Sequence, residues 1–221
     1  MGAFLEMSVI KNLFVIVAVA ALGACGQQGG SGLLSQATQL VTGTSAPSPR
    51  QAASVSEEEL LSNPGKYIRV NIRELGAWDT LIAAGANGTR TTWLGGLGTS
   101  VTLEDGVVVA TRGLPRDLMG ADATQTVAAI RNGGGTSVRT HDFLTNQDQI
   151  TQYTLECTIE VKGAEQVNRL GTSIPAVRFE ELCRSEGLTL TNVYWMDISR
   201  RIIRSLQAVS PDSGYLQIDA F

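Results

Sequence analysis

Three cysteines carry the most specific chemistry in this sequence. A thiol set directly behind small residues at the end of an apolar run is the acceptor of a diacylglyceryl group in exported lipoproteins. Cys25 stands in that position. Lys11 supplies positive charge, Leu13 to Leu22 forms the apolar run, and Leu22-Gly23-Ala24-Cys25 closes it. The run is short for a permanent membrane-spanning helix, so it reads as a processed signal. Gly23 and Ala24 leave room for a peptidase at the backbone. Residues 1–24 are therefore expected to be removed, leaving Cys25 as the lipidated first residue. The competing reading is an ordinary signal peptide with a chance cysteine. Glu6 fits poorly in a basic leader, so Met7 is an alternative start. One acyl chain holds a protein only marginally, at roughly 0.8 kcal/mol per buried CH2, whereas two or more hold it stably. Gly26 rather than Asp follows Cys25, which points to the outer membrane, facing the periplasm.

The remaining pair, Cys157 and Cys183, reads as a disulfide in an exported chain. Two buried free thiols are the alternative. His141 is the single histidine and there is no Cys-x-x-Cys pair, so neither a metal site nor any cofactor beyond the covalent lipid on Cys25 is expected. His141-Asp142 could act as a base with an orienting carboxylate. An alternating polar strand makes a solvated histidine the more ordinary outcome. Glu180 and Glu181 are adjacent, so on a strand they face opposite sides and cannot cooperate in glycoside hydrolysis. Asp117 with Asp122 has no supporting pattern. No serine lies in a nucleophile elbow. These residues give no enzymatic site. Trp93, Arg112, Tyr194, Trp195 and Arg204 are candidates for a ligand surface, through aromatic faces and guanidinium groups. In a β domain most such tryptophans fill the core, as Trp78 also could.

The elements that would position these groups are mostly strands. Hydrophobic residues are 43% of the chain, charged residues 17%, and glycine occurs 24 times between Thr- and Val-rich runs. The net charge of −4 offers no basic surplus for nucleic acid. Residues 25–55 are rich in Gly, Gln, Ser, Thr and Ala and read as a lipidated flexible tether, with one mildly apolar stretch, Leu33 to Val41, able to form a short helix. Residues 56–221 read as one β-rich domain. Ser56-Glu57-Glu58-Glu59 is a capping box that predicts a helix over Glu57 to Ser62. Asp105-Gly106 predicts a type I′ hairpin pairing Glu104 with Val107 and Leu103 with Val108, so that Val101, Leu103, Val108 and Ala110 share a face. A helical turn is expected over Leu114 to Met119. A helix capped by Asp122 is expected to run to Ile130, and Gly133 to Gly135 to form a mobile loop. Ten or more strands with few helices imply an all-β, mainly antiparallel fold: a curved sheet or half-open barrel.

Several segments together resemble one family. They are Thr92-Trp93-Leu94, the Val101–Thr111 hairpin, Thr111-Arg112-Gly113-Leu114 with Asp117-Leu118, Glu156-Cys157, Glu181 to Cys183, Tyr194-Trp195-Met196-Asp197, and Arg204-Ser205-Leu206-Gln207 before Pro211. With the lipobox, they resemble the YjbF/GfcB lipoproteins, over most of the chain from about Leu60. Pro115-Arg116 and the Gly133–Gly135 run depart from that pattern. The resemblance implies a curved or half-barrel fold and a place in capsule or exopolysaccharide secretion, with export proteins or the polysaccharide itself as partners. It brings no catalytic residues. The expected function is a non-catalytic outer-membrane lipoprotein assisting polysaccharide export or assembly. A lipid or lipoprotein carrier with a concave apolar face is the alternative, and a polysaccharide hydrolase the weaker one.

Overall fold

A computed structural model describes residues 55–73 and 76–221 of the chain. The lipobox, Cys25 and the tether up to residue 54 lie outside the described residues. Two short helices and twelve strands follow in the order α1 (Glu57–Ser62), β1 (Tyr67–Ile72), β2 (Ala77–Asn87), β3 (Arg90–Gly95), β4 (Ser100–Glu104), β5 (Val107–Arg112), β6 (Gly120–Asp122), α2 (Thr124–Arg131), β7 (Gly135–Leu144), β8 (Ile150–Arg169), β9 (Thr172–Ser185), β10 (Leu188–Met196), β11 (Ile202–Ser210) and β12 (Gly214–Ala220). All strands join one antiparallel sheet, ordered β5-β4-β3-β2-β1-β12-β11-β10-β9-β8-β7-β6. It comprises two meanders, β1–β5 and β6–β12, and only the β1–β12 pairing connects strands distant in sequence. The sheet curls until its edges approach: the Thr111 N–H donates to the Leu118 carbonyl at 2.9 Å beside β6. The all-β, antiparallel class expected of the strand pattern is met, and the sheet is a nearly closed barrel rather than a half-open one.

The capping box forms. Ser56 Oγ accepts from the Glu59 N–H at 3.1 Å. The Glu59 carboxylate does not reach back to Ser56. It accepts from the Tyr67 hydroxyl at 2.5 Å and meets Lys66 at 3.3 Å, tying α1 to β1. Leu60 of α1 then packs on Tyr67 and Phe221.

The Asp105-Gly106 turn forms with both residues at positive φ, 48° and 92°, and Glu104 pairs with Val107 and Leu103 with Val108. A Cβ on Gly106 would lie 2.8 Å from Ile202 Cβ, so glycine is also needed for the approach to β11. Beyond that pair the expected register is corrected. A bulge makes Thr102 pair with Ala110 and Val101 with Thr111. Ala110 therefore leaves the face of Val101, Leu103 and Val108, and buried Thr111 replaces it.

Further expectations are corrected between β5 and β7. Leu114 to Met119 is an irregular loop, not a helical turn. Pro115 disfavours helical backbone at Leu114, and the Asp117 carboxylate accepts from Thr111 Oγ1 (2.9 Å), the Gly113 N–H (2.9 Å) and the Leu114 N–H (3.1 Å). Asp122 ends β6 and accepts from the Thr124 N–H at 3.0 Å, but Ala123 is the N-cap of α2. The glycine run is no free loop. Gly133 and Gly134 donate to the carbonyls of Ile130 and Ala129 and close the end of α2, and Gly135 opens β7.

β8 runs unbroken for 20 residues, with a bulge between Val161 and Gly163. Beyond it the β8–β9 ribbon curls over neighbouring strands. Val167 and Ala176 bury Ile203 against Trp195, and Arg204 Nη2 donates to the Asn168 carbonyl at 3.1 Å.

Candidate functional site

Alternation along β7, β9 and β10 decides which polar side chains enter the barrel. Cys157 pairs with Cys183 across β8 and β9, Glu181 with Asn192 across β9 and β10, and Ser137 with Cys157 across β7 and β8. These positions share the inner face, with Arg139, Phe179 and Tyr194. Cys157 and Cys183 form a disulfide, with Cα atoms 4.0 Å apart. Glu181 lies against them, but sulfurs bonded to each other are poor metal ligands.

Glu181 is fully buried (0% exposed) and collects four donors. Arg139 Nη1 reaches Oε2 at 2.8 Å, with Asn192 Nδ2 at 2.7 Å and the Tyr194 hydroxyl at 2.8 Å, and Thr126 Oγ1 of α2 donates to Oε1 at 2.7 Å. Burial alone would raise the carboxyl pKa. The Arg139 charge and these hydrogen bonds overcome it and hold Glu181 below its ordinary value. Burial and the Glu181 charge push the Tyr194 hydroxyl well up. Arg139 also donates through Nη2 to the Val108 carbonyl at 3.3 Å. Gln207 of β11 completes the bridge to β5: its Oε1 accepts from the Val108 N–H at 2.8 Å, and its Nε2 donates to the Gly106 carbonyl at 2.9 Å. The two side chains fasten an edge strand to the opposite wall from within.

Other placements differ from the sequence-based reading. His141 is not solvated. It is 1% exposed on the inner face of β7, with neither ring nitrogen hydrogen-bonded. Burial, with the nearby Arg139 charge, lowers its pKa from 6.5 to about 3, so the ring is neutral. Asp142 points away and accepts from Gln152. Glu180 and Glu181 do face opposite sides, with Glu180 meeting Arg178 outside at 3.4 Å. Asp117 and Asp122 each serve a separate turn.

The five residues named as a ligand surface are not brought together. Tyr194 is interior. Trp195 lies under the β8–β9 ribbon with its indole N–H donating to Glu165 at 2.7 Å. Arg204 is paired with Asp219 at 2.9 Å. Arg112 donates to the carbonyls of Leu118 and Met119, both at 3.2 Å. Trp93 is buried at the edge of a cavity at the other side of the barrel. Trp78 is half-exposed, with Arg69 4.9 Å above its ring. The sequence reading missed Arg139, Asn192 and Gln207. Each shares strand parity with buried apolar residues, and that is the signal that would have found them.

The surface offers recesses at both ends. At one end a cavity of about 710 Å³ lies among the β5–β6, β7–β8 and β11–β12 loops. At the other, about 260 Å³ lies between Trp93, Phe221 and Ile202, with Arg131, Arg200 and Arg201 beside it.

The described residues form an antiparallel, nearly closed barrel with a buried polar network around Glu181 and recesses between its loops. The family model described as "Group 4 capsule polysaccharide lipoprotein gfcB, YjbF" matches residues 32–221, and the chain belongs to that family. The fold is similar to a crystal structure described as the hypothetical lipoprotein YmcC from Escherichia coli (K12). The TM-score is 0.66 at 14% identity, covering 88% of this chain and 96% of that one. No curated protein matches the sequence. Among the described residues no helix is long and apolar enough to cross a membrane.

Proposed function

We propose that this protein is a non-catalytic lipoprotein of the outer membrane, held by acyl chains on Cys25, that assists export or assembly of a surface polysaccharide. The family match over residues 32–221 carries the reading. The interior supports it: the one carboxylate in the Arg139 network is fixed by four donors and held ionised, which suits neither a general acid nor a mobile base. Deleting the gene should lower surface polysaccharide under inducing conditions, measured by extraction and sugar quantitation. Unchanged polysaccharide would overturn the reading. Cys25→Ala should abolish palmitate labelling and release the chain from the membrane fraction. Retention with labelling intact would remove the anchor from the account.

A lipid carrier using the concave face would need that face open, whereas Leu155, Phe179, Tyr194 and Leu216 fill it.

A further inference from the structure

We propose that the cavity between the β5–β6, β7–β8 and β11–β12 loops binds a short stretch of an uncharged, hydroxyl-rich saccharide. This inference rests on the polysaccharide reading above and names where the glycan would be held.

The cavity, about 710 Å³, falls in the range of small-ligand sites. Its wall combines Tyr153 with Arg116, Asn146, Gln147, Thr151 and Asp212. That is the chemistry of sugar recognition: an aromatic side chain for the C–H faces of the ring, and planar groups with two polar atoms for neighbouring hydroxyls. The side chains of Asn146, Gln147 and Thr151 make no hydrogen bond within the described residues, so their donors and acceptors are available to a ligand. Asp117 is different, since both its oxygens are occupied by its own loop. Arg116 and Asp212 form only a loose, solvent-screened pair at 3.6 Å. The balance of charge is small, which favours hydroxyls over an anion.

The three loops are held in place before any ligand arrives. The Arg116 N–H donates to Ser213 Oγ at 2.9 Å, and its carbonyl accepts from the Ser210 and Ser213 hydroxyls, both at 2.8 Å. The Arg116 guanidinium lies 5.2 Å above the Phe143 ring, and Phe143 meets Tyr153 edge-on at 5.9 Å. Within the β7–β8 loop, Thr145 Oγ1 accepts from the N–H groups of Gln147 and Gln149, both at 3.2 Å. A site with fixed walls loses less conformational entropy on binding than one built from free loops.

The test is isothermal titration of the full lipidated chain in a zwitterionic detergent without a sugar headgroup. The titrant is oligosaccharides made by partial depolymerisation of the producing strain's own polysaccharide. Binding should weaken at least ten-fold in Asn146→Ala/Gln147→Ala, whose side chains are exposed and unbonded, so that its melting temperature should stay at the wild-type value. It should be unchanged in Arg131→Ala at the other end of the barrel. No binding by the wild-type chain, or wild-type binding by the double variant, overturns the proposal, as does an equal loss in Arg131→Ala. If gene deletion still lowers surface polysaccharide in any of those cases, the functional reading stands and only this site falls.

Discussion

Removing either member of the Arg139–Glu181 pair would strand the other in a dry interior. Arg139→Ala should therefore cost about 3–5 kcal/mol in denaturant unfolding, far more than loss of the exposed Lys66–Glu59 pair. His141 adds a pH dependence of definite sign. Its folded pKa of about 3 lies below the ordinary 6.5, so between those values the unfolded chain binds a proton that the folded chain refuses. The stabilisation is complete above pH 6.5 and falls on acidification, at about 1.4 kcal/mol per pH unit, until about pH 3. Glu181, with its lowered pKa, adds to the loss only once pH drops below the ordinary carboxyl range. His141→Phe should flatten the slope between pH 6.5 and 3, measured by urea unfolding at several pH values. At this scale the sequence told Glu180 from Glu181 only as opposite-facing. It left open which one points inward, and it placed His141 in water. Residue type favours the surface for Glu and His, and burial here is decided by partners on strands remote in sequence.

The disulfide staples β8 to β9 at the level of the Glu181 network. Reduction with dithiothreitol should lower unfolding stability by about 3.5 kcal/mol, from the entropy of the loop it closes. The β8–β9 ribbon depends on its bulge, where Gly163 has φ 123°. Gly163→Val should strain that bend, loosen the cover over Trp195 and red-shift its fluorescence. The α1 capping box and the Asp105-Gly106 turn were legible because each is written in a few adjacent residues. The bulge in β5 was not, because Val107-Val108-Val109 offers no chemical mark of which residue is extra. The loop at Leu114 to Met119 was misread because Asp117 hydrogen-bonds backbone groups that a helix would otherwise use.

Across the molecule, the count of strands and their antiparallel order followed from alternation and turn spacing, and the curled sheet met that expectation. The degree of closure did not follow, since it rests on contacts between elements remote in sequence, among them Arg139 and Gln207 reaching β5 and its turn. Gln207→Ala should leave the Val108 N–H without its acceptor, cost about 1–3 kcal/mol and speed hydrogen exchange at that amide. The same topology orders events in time. β1 finds its second neighbour only in β12, with Ile68 opposite Ala220 and Ile72 opposite Leu216. While a growing or translocating chain has yielded no more than β11, β1 has one bare edge and the two meanders have no seam. An arrangement whose β1–β12 seam cannot form until β12 has been made delays completion of the sheet by its connectivity alone.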